Sequence, residues 1–470
     1  MSNLLNNLVG SINDFLWSYI LIGMLILLGI YFSIKTNFVQ FRYFREMFKL
    51  LGEQTNTKDN KQGVSSFQAF CISAASRIGT GNLAGVALAI AIGGPGAVFW
   101  MWLIALIGSS SSFIESTLGQ IYKVKDGDTF RGGPAYYIEK ALGKRWLGII
   151  FSILITITFG LVFNSVQSNT IASAFEQAFG FNTAITGVIL VVLSGYIIFG
   201  GVQRIANASS VIVPIMALIY VSLSIFIMIK NITLIPGMIK IIFTNAFGIK
   251  QAVGGSLSLV MIQGIKRGLF SNEAGMGSVP NAAAAADTSH PVKQGLIQTL
   301  GVFTDTILIC SATAFIILLS GVYNNPGDLT GIQLTQAAVS YQVGSWGNSF
   351  VAVCIFLFAF SSIIGNYYYG ETNLEFIKSS KSALFIYRIF ALCMVMLGSM
   401  AKLSTVWDMA DLFMGLMAVI NLIVIARLSP IAYEALKDYT RQRKEGKNPV
   451  FKASSNPKLN NLEYWNNEES

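Results

Sequence analysis

The chain has 470 residues, of which 53% are hydrophobic and 12% charged, with a formal net charge of +9. So few charged groups cannot cover a water-soluble domain of this size, and the chain reads as an all-α integral membrane protein. One histidine, His290, and four separated cysteines (Cys71, Cys310, Cys354, Cys393) speak against a zinc centre or a disulfide framework.

Eleven spans are expected near 15–34, 66–91, 97–121, 147–175, 182–200, 208–229, 252–287, 295–321, 346–370, 383–400 and 408–428. Each approaches or exceeds the roughly 17–25 residues that cross a hydrocarbon core. The first follows an N-terminus free of lysine and arginine and lacks a small-residue cleavage site, so it is a retained span and not a signal peptide. After it, TNFVQFRYFREMFKLL alternates bulky apolar and basic residues at helical spacing and is expected to lie along the membrane surface, against anionic lipid.

Basic residues crowd the loops at 35–62 (Lys35, Arg42, Arg45, Lys49, Lys58, Lys61) and 123–145 (Lys123, Lys125, Arg131, Lys140, Lys144, Arg145), and the stretch from Arg427 to Lys458. Lys230, Lys240, Lys250 and Lys402 stand opposite. This distribution places the N-terminus outside and the C-terminus in the cytoplasm of a bacterial inner membrane. It also accounts for the positive charge without nucleic acid. The stretch from about Lys437 is too polar to bury a core and is expected to be a loosely ordered tail.

Two spans carry polar and glycine-rich interruptions. The second contains SRIGTGN and the seventh contains SNEAGMGSVPN, at depths where a lipid-facing helix would not tolerate them. They lie five spans apart, as an inverted repeat of five plus five helices requires, with freed half-helix ends meeting at the midplane to hold an anionic group and a cation. The expected organisation is an extra N-terminal helix with an interfacial helix (1–65), a first five-helix repeat (66–230), a second (231–430) and a cytoplasmic tail (431–470). Ala282 to Ala286 form a tight packing face.

SRIGTGNLAGVA, GGPGAVFWMW, GGPAYYI, GLFSNEAGMGSVPNAAAAAD and SIIGNYYYGE occur in this order along the membrane region. On these motifs the sequence resembles the alanine/glycine:sodium symporter family, whose core is of the LeuT type with one additional N-terminal helix. The resemblance implies sodium-coupled import of a small neutral amino acid by alternating access, with sodium as coupling ion and no organic cofactor. It implies that Thr80 and Gly81, with Asn82 beside them, meet the substrate carboxylate. Gln167 would face the pocket from the fourth span, and Asn272, Gly275 and Met276 would shape the amino-group and side-chain side. For sodium it implies the carbonyls of Arg77 and Thr80 together with the hydroxyls of Ser361 and Ser362, hard oxygens suited to such a cation.

The chain departs from the family at Asn366, where alanine and glycine carriers usually have tryptophan. If Asn366 lines the pocket, it enlarges the cavity and offers an amide to a polar side chain, pointing to glutamine, which some members carry. An Asn366 facing a neighbouring helix would remove that argument.

Ionisable groups within spans are costly unless paired or wetted. Glu273 and Asp305 are candidates for gating or coupling, and Glu115 for structural pairing. Arg77 could pair with Glu273 or another acid, Lys266 and Arg267 could reach the interface, and Arg388 also falls within a span. Proton coupling, or a sensor or channel of the same fold, stays open as an alternative. An enzyme is disfavoured, since HExxH, GxSxG and Walker motifs are absent.

Overall fold

The computed structural model describes residues 2–53, 64–127, 129–247, 256–453, 459 and 461–465. Lys58, Lys61, Lys250 and Lys458, used above for topology, lie outside the described residues. Helices stand at every expected span. The first is α1 (Leu8–Lys35), followed by a short amphipathic helix α2 (Phe44–Leu51). The interrupted second span is α3 (Ser66–Arg77) and α4 (Gly81–Gly93), bent by 48°. Then come α5 (Ala97–Ile121), the short α6 (Pro134–Leu142), α7 (Arg145–Phe179), α8 (Thr183–Ile198), α9 (Gly201–Lys230) and α10 (Ile232–Phe247). The interrupted seventh span is α11 (Ser256–Asn272) and α12 (Val279–Ala285). The chain closes with α13 (Pro291–Ser320), α14 (Ile332–Val343), α15 (Trp346–Ile377), α16 (Lys381–Met400) and α17 (Leu403–Lys444). Eight described helices are long and apolar enough to cross a membrane, and the bent pair makes a ninth.

Three helices and a hairpin fall where loops were expected. α6 starts on Pro134, whose missing N–H costs nothing in a first turn, and stops at Gly143 with φ +65°. α10 and α14 are shorter than a span, and strands β1 (Val124–Asp126) and β2 (Thr129–Arg131) pair antiparallel between α5 and α6.

α15 runs through the middle of the protein, buried from Phe358 to Asn373. It presses so closely on α3 that a Cβ at Gly365 would come within 2.9 Å of the Ser76 backbone nitrogen. α1 leans on α17 through Asn13 Nδ2, which donates to the Asp408 carbonyl (3.0 Å), and Trp17 Nε1, which donates to that of Asp411 (3.3 Å).

The C-terminal region corrects the expected boundary at 430/431 and the loosely ordered tail. α17 continues through Pro430 to Lys444. Pro430 has no N–H for the carbonyl four residues back, Ala426, but Ser429 Oγ donates to that oxygen at 2.9 Å, so the helix runs on. Beyond it, Phe451, Leu462 and Trp465 are buried on the face that carries the basic loops. Trp465 Nε1 donates to the Gln120 carbonyl (3.0 Å), and Lys123 Nζ lies 4.1 Å from the Phe130 ring centre, 4.3 Å from Tyr464 and 5.3 Å from Trp465. Composition alone undervalues such a tail, because a few aromatic anchors on a preformed surface order it.

Candidate substrate and ion site

The first break begins where α3 ends at Arg77. Asn82 caps it, accepting from the Gly79 N–H through Oδ1 at 2.8 Å. Thr80 turns toward α7, its N–H and Oγ1 both donating to Gln167 Oε1 at 2.9 and 2.7 Å. Gly81 lies flat against α11; a Cβ there would meet the Phe270 ring at 3.0 Å and Ser271 Cα at 3.1 Å.

The second break is held open by left-handed residues, Glu273 at φ +57°, Gly275 at +88° and Gly277 at +83°. Its freed N–H groups have a buried acceptor. Glu115 Oε1 takes the Gly275 N–H at 3.1 Å and Oε2 takes that of Gly277 at 3.0 Å. Asn421 Nδ2 donates to the same carboxylate at 2.7 Å and to the Gly275 carbonyl at 2.9 Å. Glu115 is thus paired structurally, with backbone amides and an asparagine and not with a cation. Met276 is buried in this turn. Asn272 Oδ1 accepts from the Ala274 N–H (3.0 Å), while its buried Nδ2 has no partner among the described residues.

The two breaks meet across α15. Ser76 Oγ lies 2.7 Å from Glu273 Oε1 and 2.7 Å from Asn366 Oδ1, and Ser278 Oγ donates to Glu273 Oε2 at 2.5 Å. Asn366 is fully buried with Nδ2 unsatisfied. Ser76 has one proton for two acceptors, so with either orientation of the amide one polar atom of Asn366 is left to meet a ligand.

Several expectations are corrected. Arg77 forms no ion pair with Glu273; NH1 donates to the Gln298 carbonyl (3.1 Å) and NH2 to Ser112 Oγ (3.2 Å), because its side chain leaves the break sideways, between α5 and α13. Asn82, expected beside the substrate carboxylate, donates through Nδ2 to Asp305 Oδ1 at 2.7 Å. Asp305 sits in a π-helical turn of α13, Phe303–Cys310, and also accepts from Ser271 Oγ (2.7 Å) and Thr306 Oγ1 (2.8 Å).

The proposed sodium oxygens change too. Ser362 Oγ reaches the carbonyls of Ala75 (2.8 Å), Phe358 (3.1 Å) and Ile78 (3.4 Å), not those of Arg77 and Thr80. Where a helix unwinds, carbonyls three residues apart share a side, and Ala75 and Ile78 are the pair facing α15. Ser361 points away, donating to the Phe358 carbonyl at 2.8 Å and approaching the Met216 sulfur. The Phe358 carbonyl also accepts from Ser361, so the carbonyls of Ala75 and Ile78 are the ones that share the single Ser362 proton.

Two sets of contacts among the described residues flank the breaks. Toward the basic face, Val64 joins Ala286 in an isolated parallel bridge, the Val64 N–H donating to the Ala285 carbonyl and the Asp287 N–H to that of Val64. On the other side, the Phe270 ring packs at a tilt, with its centre 4.7 Å from those of both Phe163 and Trp407, and Arg267, whose guanidinium lies against Trp407, pairs with Asp411. Arg267 is therefore buried and paired and does not extend to the interface; Lys266 joins the same carboxylate at 3.3 Å. Arg388 bonds Tyr367 Oη at 3.0 Å. Ser76, Ala75, Ile78, Phe358, Phe270 and Trp407 were missed. The carbonyls carry no signature of residue type, and the serine and aromatics look like ordinary helix residues.

A family model described as the sodium:alanine symporter family matches residues 1–453. The chain is 59% identical over 468 residues to the amino-acid carrier protein AlsT of Bacillus subtilis, covering 100% of this chain and 99% of that one. It is 56% identical over 465 residues to the probable sodium/glutamine symporter GlnT of the same organism, covering 99% and 97%. Among solved structures it is similar to MhsT in complex with L-phenylalanine, with a TM-score of 0.53, 14% identity, and 81% and 90% of the two chains covered. That likeness speaks to fold, which is of the LeuT type.

Proposed function

The chain belongs to the sodium:alanine symporter family and is a sodium-coupled amino-acid symporter; on this premise we propose that it takes up a small neutral amino acid by alternating access, glutamine in preference to alanine or glycine. The observation that carries the preference is the buried Asn366 amide with one atom unsatisfied, beside the two breaks. A glutamine side-chain amide is a complementary donor and acceptor, and a buried amide left unpaired by alanine would cost that substrate affinity. The 56% identity to a protein named as a probable sodium/glutamine symporter supports the same reading.

In this proposal the substrate carboxylate meets the N-terminal end of α4 at Thr80 and Gly81, with Gln167 holding Thr80 in place. Asn272, Gly275 and Met276 line the other side. Sodium is held by the carbonyls of Ala75, Ile78 and Phe358 with the Ser362 hydroxyl. Glu115, Glu273 and Asp305 are all buried around the two breaks, where their oxygens are held by hydrogen bonds. Asp305 is the coupling residue in this reading, its carboxylate tied to α4 through Asn82 and to α11 through Ser271. The basic loops and tail face the cytoplasm and the N-terminus faces outward.

Uptake of labelled glutamine and labelled alanine into proteoliposomes, with an inward sodium gradient and a potassium control, tests the reading. Sodium-driven accumulation of glutamine over alanine is expected. A preference for alanine would remove Asn366 from substrate recognition, and accumulation without sodium would remove the ion site.

A further inference from the structure

On the basic face, outside the transport site, an open pocket of about 510 Å³ lies between the end of α1 and the extension of α17. Its walls bring together Lys35, Arg42, Lys437, Arg441 and Lys444 against a single acid, Glu445. Five cations from three segments, the end of α1, the short turn of helix Val39–Arg42 and α17, repel one another unless an anion lies between them.

The basic groups differ in what they already hold. Lys437 is paired with the exposed Glu434 (2.7 Å), an arrangement that holds the charge weakly, and the exposed guanidinium of Arg441 with the largely buried Asp438 (2.5 Å), which is shared with Gln442. Arg42 NH2 donates to the Thr36 carbonyl at 3.3 Å. Among the described residues neither Lys35 nor Lys444 has an ion-pair partner within 4 Å. Below the pocket, Asn37 and Phe38 take left-handed conformations, φ +53° and +51°, a costly turn that swings the chain out of α1 and brings Arg42 back beside Lys35.

The surroundings fix the depth of this pocket. Phe41, Phe44 and Phe48 are about half exposed along the amphipathic segment, which places the pocket at headgroup level. In the two turns of α1 before Lys35, Leu27, Ile30 and Ile34 are exposed at 69%, 44% and 60% and share one apolar side of the helix. A basic pocket next to an exposed apolar side of a helix matches an amphiphile with an anionic head.

We propose that this pocket is a binding site for the phosphate headgroup of an anionic phospholipid, whose acyl chain lies along α1 and whose head ties α1 to α17. Free phosphate would use the basic walls alone; the lipid uses both parts, and the proposal commits to the lipid. A bound headgroup neutralises the repulsion between Lys35, Arg42 and Lys444 and anchors the base of the C-terminal tail, which begins where α17 ends.

Native mass spectrometry of the full-length protein released from detergent, titrated with phosphatidylglycerol or with phosphatidylcholine of the same acyl chains, tests this. Phosphatidylglycerol is expected to be retained over phosphatidylcholine. In a Lys35→Gln, Arg42→Gln, Lys444→Gln variant its affinity is expected to fall by about a hundredfold, since each basic residue near a charged headgroup is worth about fivefold. A Lys378→Gln, Lys381→Gln variant, with two cations removed elsewhere on the same face, is expected to bind as the parent does. Should the triple variant not fold, Lys444→Gln alone is expected to lose about fivefold. Equal retention in parent and Lys35/Arg42/Lys444 variants would overturn the site. Displacement of the lipid by millimolar inorganic phosphate would overturn the lipid as its ligand.

Discussion

Ser76 Oγ stands 2.7 Å from Asn366 Oδ1, so the first broken helix and the central helix α15 share a hydrogen bond at the position where the resemblance to alanine and glycine carriers leads one to expect tryptophan. Because Ser76 also reaches Glu273, this contact joins three elements that must move relative to one another in alternating access. Replacing Asn366 with tryptophan fills the space and removes the amide. Asn366→Trp is expected to lower glutamine uptake at least about tenfold, the worth of one buried hydrogen bond, while alanine uptake persists. Competition of unlabelled glutamine against labelled alanine reads the change; unaltered competition would place Asn366 outside recognition.

The two adjacent serines of α15 should not be equivalent. Ser362 faces the carbonyls of Ala75, Ile78 and Phe358, whereas Ser361 faces Met216. Ser362→Ala is expected to raise the sodium concentration for half-maximal uptake by about tenfold, the loss of one oxygen ligand to a charged species, and Ser361→Ala to change it less than about twofold. Sodium titrations of uptake for the two single variants decide the matter. A larger effect at Ser361 would move the ion.

Glu115 organises the second break without touching the proposed substrate. Its two oxygens hold the N–H groups of Gly275 and Gly277, and glutamine can reproduce only one of these acceptors. Glu115→Gln is therefore expected to destabilise the protein by about 2 kcal/mol, the cost of a buried donor left unpaired next to a charged acceptor lost. Substrate protection against heat should weaken with it. A thermal unfolding series with and without glutamine measures both, and an unshifted midpoint would mean that the break holds itself open.

His290 offers a pH-dependent contact on the basic face. Its Nδ1 accepts from the Val292 N–H, capping α13, and Nε2 lies 3.4 Å from Asp438. Burial holds its pKa below the usual 6.5, with Asp438 opposing that shift and Lys293 adding to it. The unfolded chain therefore takes up a proton from about pH 6.5 downward before the folded one does, and stability is lost as pH falls through that window. Thermal midpoints measured on either side of 6.5 should show this loss in the parent and a smaller one in His290→Asn, which keeps a capping oxygen. An identical pH response in the variant would assign it to other groups.

The broken helices were legible because a lipid-facing helix does not tolerate glycine together with polar residues at mid-span, and their five-span spacing carried the repeat. Asn366 was legible as a departure from a motif. What the sequence hid were relationships set by packing. Ala75 and Ile78 contribute carbonyls, which any residue possesses. The amide of Asn82 is divided between Gly79 and Asp305. The tail misled for the same reason: its polar composition is real, but three buried side chains, Phe451, Leu462 and Trp465, outweigh it.

That tail bears on the gate. Lys123 Nζ donates to the Ala286 carbonyl (2.9 Å), Gln120 Nε2 donates to the same oxygen (2.8 Å), and Ala286 pairs with Val64 at the mouth of the broken helices. Trp465 covers this knot from outside, bonded to the Gln120 carbonyl and lying against the Lys123 ammonium. Opening toward the basic face separates Val64 from Ala286, and the tail opposes that movement by holding Gln120 and Lys123 in place. Trp465→Ala removes a hydrogen bond and one ring of the cage, together worth about 2 kcal/mol, so the open state should gain roughly tenfold or more in population. A cysteine at Val64, in a background where the exposed Cys393 is replaced by serine, reports this as its rate of modification by a thiol reagent applied to the basic face. Faster labelling in Trp465→Ala, reversed by sodium with substrate, is the expected result. Equal rates would mean that the tail rests on the gate without restraining it, and that the Val64–Ala286 bridge alone keeps the site closed.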